Sequence, residues 1–470
     1  MALPYTVKVL EHCHVSPPPI SVPPTSLPLT FLDIPWFFAT TARRIFFYEY
    51  PHPTLHFTAT ILPLLKHSLS LTLQHFFPLA GTLRCPPHPT KPYFFYTDGD
   101  SVPFIVTEST GNFTHLLSNY PRDVKEFYSF VPKLPMACVS TETQVESIPL
   151  LALQVTVFPN SGICIGITFS HIVADGMTIH HFMKSWASVF RSKGDLSCID
   201  KSLPFYNRSV VKDSKGRETF FLKQWWSRRS SWKEDTSTSL SEDKLRATFV
   251  MGRQDIERLK QWISTKCQIN HESCPSHIST FVVTCAFMWV CLTKSQEVVV
   301  SGKNSLNDDE LYHFCFIADC RNTHEIPVPI TYFGNCLAIF FVSAKRGELI
   351  GEDGVVVAAK AIGSKVKELE SGVLREAEMW MSKWKELKEV GHLLAVAGSP
   401  KLHVYDTDFG WGRPKKSEVV QVDISGTISL AECRDEEGGI EVGLALSRVE
   451  MEAFISIFEQ GQKKFGTCLK

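Results

Sequence analysis

Hydrophobic and polar positions along the chain switch between strand-like and helix-like spacing, and the switches outline the elements. Val7–Val15 reads as an opening strand and runs into a proline-rich stretch from Pro17 to Pro28. Arg44–Tyr50 is an aromatic-rich second strand. Across Thr54–Phe77, Ile61, Leu64, Leu65, Leu69 and Leu73 recur at helical spacing. They predict one long amphipathic helix that stops at the Pro78–Gly81 break. Strands are expected at Pro92–Tyr96, Val102–Val106, Leu151–Phe158 and Ile163–Phe169, then a helix from about Met177 to Arg191.

Between 192 and 244 the pattern changes. The segment is rich in Ser, Lys and Arg, its apolar residues have no clear period, and it reads as a crossover linker. Beyond it come a strand at Leu245–Met251, a helix from Asp255 to about Thr265 and an apolar helix at Thr280–Thr293. Strands are expected at Tyr312–Ile317, Leu337–Val342, Val419–Val422, Ile428–Leu430 and Ile440–Leu446. Helices are expected at Val355–Leu369, Leu374–Leu387 and Ser447–Lys463. Strands and helices mixed in both halves predict an α/β class with two similar-sized domains. These would span 1–191 and 245–470, joined by 192–244.

Composition narrows the partners. In 470 residues, 48 Lys and Arg nearly cancel 49 Asp and Glu. The net charge of -1 gives no electrostatic reason for nucleic acid or an anionic membrane as the main partner. The N-terminus has no signal-like apolar run, and the longest apolar stretch, Phe281 to Leu292, is too short to span a bilayer. It reads as a buried helix, and the expected location is the cytoplasm. The 14 cysteines are scattered, with no C-x-x-C pair, and many sit in apolar settings (Cys164, Cys285, Cys291, Cys315, Cys336). Reduced core thiols are the expected state.

Candidate chemistry concentrates in Gly162–Gly176, GICIGITFSHIVADG. An apolar strand delivers His171 to its C-terminal end, and Asp175 follows four residues later, before a glycine. An imidazole there suits a general base, since its free pKa lies near working pH. With 17 histidines, roughly one H-x-x-x-D pair arises by chance, and only His171 has Asp at that spacing. Alone, the pair reads at least as well as a satisfied structural histidine. The second unusual segment is Asp408-Phe409-Gly410-Trp411-Gly412, whose glycines permit unusual backbone angles. It reads either as support for a site or as a tight turn around a buried aromatic. No P-loop, G-x-G-x-x-G or metal-spaced Cys/His cluster occurs, and there is no G-x-S-x-G elbow for a nucleophilic serine.

With H-x-x-x-D-G and D-F-G-W-G in this order, the sequence resembles the BAHD acyltransferases of plants over essentially its whole length. His75–Gly81 (HFFPLAG), Tyr332–Cys336 (YFGNC), Leu32–Trp36 (LDIPW) and Gln154–Asn160 (QVTVFPN) resemble the branch that acylates anthocyanins and other flavonoid glycosides. The resemblance implies two chloramphenicol acetyltransferase-like domains with mixed sheets flanked by helices, and a channel between them with His171 midway. It implies that His171 deprotonates a sugar hydroxyl attacking an acyl-CoA thioester, in a direct ternary complex. Asp175 would pair with Arg321 in a structural role, and Asp408, Gly410 and Gly412 would support the architecture. Trp411 would line the channel and donate to the oxyanion, or simply pack. Ser279 and Thr280 would contact coenzyme A, or only cap their helix. Asp33, Trp36 and Phe37 would face the acceptor, or only the core. No cofactor is implied beyond acyl-CoA as co-substrate, no metal, and no partner chain, the expected state being a monomer. Met177, Thr178 and Ile179 stand where malonyl-transferring relatives often place a cation, which leans toward an aromatic donor. The open alternatives are a relative acting on another alcohol or an amine, and a non-catalytic binder of polyphenols or CoA esters.

Overall fold

The computed structural model describes residues 5–39, 41–232, 243–271, 274–275, 277–300 and 307–467. Its strands form three sheets. The six-stranded sheet runs, in spatial order, Val7–Val15, Val102–Ser109, Leu151–Phe158, Gly162–Phe169, Ala42–Glu49 and Lys416–Val419. The seven-stranded sheet runs Leu337–Lys345, Leu311–Asp319, Leu393–Ala397, Thr427–Glu432, Ile440–Ser447, Lys244–Met251 and Arg122–Asp123. A five-stranded sheet of short strands, among them Thr25–Pro28 and Tyr93–Tyr96, completes the set.

Each half of the chain lends a strand to the other. Lys416–Val419, late in sequence, pairs antiparallel with Ala42–Glu49 in the first sheet. Arg122–Asp123, early in sequence, pairs with Lys244–Met251 in the second.

The hairpin that carries the candidate base lies in the middle of the first sheet. Leu151–Phe158 and Gly162–Phe169 pair from Leu151↔Phe169 to Phe158↔Gly162, and every residue of both is buried. Such near-continuous apolar runs belong to strands covered on both faces. Accordingly Ile163, Ile165 and Ile167 enter the main core, while Cys164 joins a second cluster with Ile45, Phe47 and Phe130.

Several expectations are corrected. The first long helix is three pieces, Thr54–His56, a π-helical turn Phe57–Ile61, and Leu62–Leu73. The polar 192–244 segment holds a 16-residue helix, Arg217–Trp232. Phe221, Leu222 and Trp225 are its buried anchors. They are too few, among Lys and Arg, to register as a periodic stripe. Residues 233–242 of that segment lie outside the described residues. The expected strand Val419–Val422 is Lys416–Val419, with Val422 opening a short helix Val422–Ser425. The helix expected at Leu374–Leu387 is Trp380–Val390, preceded by a 3-10 turn. The apolar helix is Thr280–Val300, with Val282 to Leu292 buried. Among the described residues, no helix is long and apolar enough to cross a membrane.

Candidate active site

His171 sits in the loop between strand Gly162–Phe169 and helix Gly176–Arg191. Asp175 starts that helix: its backbone is extended and its side chain accepts the Thr178 N–H at 2.9 Å, an ordinary aspartate N-cap. The His171 ring stacks on Trp36 at 4.1 Å and 15°. The residue as a whole is only partly buried. Desolvation lowers its pKa below the ordinary value. Its own carbonyl, the Asp175 charge and the Asn335 side chain oppose that shift without cancelling it. The imidazole is therefore neutral at pH 7, the protonation state a base requires. Nδ1 is buried with no hydrogen-bond partner among the described residues.

Asp175 is fully buried, and its hydrogen-bond partners do not include the ring. Arg321 meets it twice, at 2.8 Å and 3.0 Å, and the Cys336 N–H donates to it at 2.9 Å. Arg321 also donates to Asp319 and to the carbonyls of Tyr332 and Gly334. The Tyr332–Cys336 segment thus wraps the loop that carries His171. Asn335, also fully buried, donates from Nδ2 to the carbonyls of His171 at 3.0 Å and Ile172 at 2.9 Å.

The acceptor-side residues divide. Trp36 is at the site, against His171. Asp33 is fully buried in an ion pair with Arg208 at 2.6 Å and accepts from Thr30 and from the Asn335 N–H at 3.0 Å. Its carboxylate is thereby committed to internal partners, which corrects its expected place facing an acceptor. Phe37 stacks on Trp225 at 4.4 Å and is buried, again packing and not lining. Beside the 3-10 helix Ile34–Phe38, which carries Trp36 and Phe37, a cavity of about 290 Å³ is lined by Leu29, Ile34, Tyr93 and Leu222 among others.

The D-F-G-W-G turn is elsewhere. Asp408 accepts the N–H groups of Gly410 at 2.7 Å and Gly412 at 3.0 Å, with Arg191 nearby at 3.8 Å. Both glycines have positive φ, +94° and +86°, so the turn needs them. Trp411 packs among Tyr48, Tyr50, Phe190 and Phe409. Phe190 closes helix Gly176–Arg191, about 21 Å from its start at ~1.5 Å per residue. The oxyanion expectation for Trp411 is corrected accordingly, because its partners lie at the far end of that helix from His171. Ser279 accepts the Val282 N–H at 3.3 Å and so caps helix Thr280–Val300. Thr280 is the first residue of that helix. Sequence reasoning missed Arg208 and the part played by Asn335. Arg208 lies in the aperiodic 192–244 stretch, whereas Asn335 was visible inside the YFGNC motif.

The fold is two mixed α/β halves that exchange strands. Vinorine synthase has a similar fold, with a TM-score of 0.69 at 19% identity, over 96% of this chain and 98% of that one. F. sporotrichioides TRI101, complexed with coenzyme A and T-2, follows at 0.64 and 14%, over 92% and 97%. In sequence, the chain is 42% identical to Arabidopsis thaliana coumaroyl-CoA:anthocyanidin 3-O-glucoside-6''-O-coumaroyltransferase 1, over 98% of each chain. It is 38% identical to Dahlia pinnata malonyl-coenzyme A:anthocyanin 3-O-glucoside-6''-O-malonyltransferase, over 96% of this chain and 97% of that one. The Transferase family model matches residues 7–461. The chain belongs to this family, the BAHD acyltransferases, and is an acyl-CoA-dependent acyltransferase.

Proposed function

We propose that this protein moves an aromatic, hydroxycinnamoyl-type acyl group from coenzyme A to a sugar hydroxyl of an anthocyanin or related flavonoid glycoside, with His171 as general base. The observation that carries the reading is a partly exposed histidine at a strand end, its imidazole biased toward the neutral form, in a chain whose relatives are named for acyl transfer to anthocyanin glucosides. Nε2 takes the hydroxyl proton as the oxygen attacks the thioester carbonyl. The tetrahedral intermediate collapses, the C–S bond breaks, and the imidazolium returns the proton to the departing thiolate. Direct transfer is favoured because Cys320 and Cys336, the thiols beside the Asp175 ion pair, are buried and held protonated.

The aromatic donor is favoured over malonyl on two grounds. Met177, Thr178 and Ile179 supply no cation, and Arg208 and Arg321 are each engaged by a buried carboxylate. The Arabidopsis coumaroyltransferases are also slightly more similar, 42% and 41% against 38% for the Dahlia malonyltransferase. Buried free thiols fit a reducing, cytoplasmic setting. A site assembled within one chain fits a monomer. Ser279 and Thr280, at the mouth of an apolar helix, remain our candidates for coenzyme A phosphate oxygens.

Purified protein should be incubated with coumaroyl-, caffeoyl- and malonyl-CoA and a glucosylated anthocyanidin, with products read by mass spectrometry. The expected product is the hydroxycinnamoyl ester, and His171→Ala should lower kcat by about a hundred- to ten-thousand-fold. Near-normal turnover by that variant would remove His171 from the mechanism. A malonyl ester as the main product would overturn the donor assignment alone.

A further inference from the structure

The segment Tyr332–Cys336 grips the His171–Asp175 loop at both ends, and four of its five residues have a definable part. Cys336 N–H holds Asp175 at the helix end of the loop, at 2.9 Å. Asn335 holds the strand end through the carbonyls of His171 and Ile172, at 3.0 and 2.9 Å. Gly334 has φ +130°, and a Cβ there would come within 3.0 Å of Arg208 and 3.3 Å of Asp33. Tyr332 is buried between the Arg208 and Arg321 guanidinium groups, each 5.9 Å from its ring.

The orientation of the Asn335 amide follows from its neighbours. Its NH2 group faces three acceptors: two backbone carbonyls and, at 3.3 Å, Asp33 Oδ1. An amide oxygen in that place would meet only lone pairs, so Oδ1 must point the other way. Oδ1 is buried and has no hydrogen-bond partner among the described residues, and the same is true of His171 Nδ1. One is an acceptor, and the other is a donor in one of the two imidazole tautomers. The residue is itself anchored, since Asp33 receives its backbone N–H and is neutralised by Arg208. Asp33 also accepts from the backbone and hydroxyl of Thr30, both at 2.8 Å, just before the turn that presents Trp36 to the His171 ring. One buried carboxylate therefore fixes the partners on both sides of the imidazole.

We propose that Asn335 is the positioning residue for the base: Nδ2 fixes the His171 backbone, and Oδ1 selects the tautomer with the proton on Nδ1, leaving the Nε2 lone pair for the acceptor hydroxyl. The proposal rests on His171 being the base. Against the lowering by burial, the His171 carbonyl first, and then the Asp175 charge and the Asn335 side chain, act in the direction that favours a protonated ring nitrogen. Fixing the tautomer in this way is a recurrent means of preparing an imidazole for proton transfer.

The test uses the full-length enzyme with its best acyl-CoA and acceptor. Asn335→Ala should lower kcat by about ten- to a hundredfold, as expected when a catalytic group is mispositioned. The KM for either substrate should move by less than about threefold, since uniform binding is untouched. In 15N-histidine-labelled protein, the His171 ring signals, assigned by their loss in His171→Gln, should report Nδ1–H in the wild type and a tautomer mixture in Asn335→Ala. Asn335→Ser, which keeps one donor in a smaller side chain, should fall between the two in kcat. It also serves if the alanine variant does not fold. An unchanged tautomer, or a kcat loss that merely tracks the folded fraction, would overturn the proposal. If His171→Ala keeps its activity, the base assignment itself has failed. If His171→Ala is inactive while Asn335→Ala turns over like wild type, only the positioning role is lost.

Discussion

Asp175 illustrates how one motif residue can be indispensable without touching the reaction. Its carboxylate caps a helix, pairs with Arg321 and takes the Cys336 N–H, and none of these partners is the imidazole. Removing it leaves the Arg321 guanidinium buried without its main counter-charge, which costs about 3–5 kcal/mol in such pairs. Asp175→Ala should therefore lower the melting temperature by several degrees together with activity, as followed by calorimetry and turnover on the same preparation. A variant that melts like wild type yet is inactive would show that the aspartate acts in the chemistry directly. His171 and Asp175 were legible in the sequence as a strand end and a motif position, whereas Arg321, 146 residues from Asp175, came only with the family resemblance. Asp33 was not legible. Its neighbours Trp36 and Phe37 suggested a channel wall, but the counter-charge that buries it, Arg208, comes from 175 residues away, and no local pattern encodes such a pairing.

Among the elements, those with strong periodicity were the most legible. The central hairpin strand Leu151–Phe158 coincides with its expected span, and the following strand and helix shift by one residue at their starts. Legibility failed where tertiary contacts override local pattern. Helix Arg217–Trp232 hides its three anchors among charges, and strand Lys416–Val419 exists only because Ala42–Glu49 offers it an edge. The Tyr332–Cys336 segment is neither helix nor strand, and its shape depends on a single glycine. Gly334→Ala would require a positive φ from a residue with a Cβ, pressed against the Arg208–Asp33 pair. Backbone strain of this kind costs roughly 1–3 kcal/mol. The expected result is a lower melting temperature and reduced kcat in the same variant. Wild-type values for both would mean that the segment tolerates repacking and does not hold the His171 loop.

At the scale of the whole molecule, the exchanged strands make the two halves interdependent, and a cut at 192–244 would separate neither cleanly. Buried charge marks the seam. Glu418, on the strand lent to the first sheet, pairs with Arg122 at 2.7 Å and Arg246 at 2.9 Å, and all three are almost fully buried. Arg122 belongs to the strand lent in the opposite direction, so the cluster ties both exchanges together. Burial alone would raise the Glu418 pKa, but Arg122, Arg246 and Lys416 outweigh it and hold it down to about 2. A carboxylate depressed in this way contributes stability that is fully present above its unfolded pKa, near 4.5, and lost as pH falls toward 2. Glu418→Gln would leave two arginines facing each other without their anion, a loss of about 3–5 kcal/mol at neutral pH. Chemical denaturation should show that deficit at pH 7, and the gap between variant and wild type should narrow as pH falls below about 4.5, because the wild type then surrenders the same interaction. A gap that stays constant with pH would mean that packing, and not the buried anion, holds the two halves of the enzyme together.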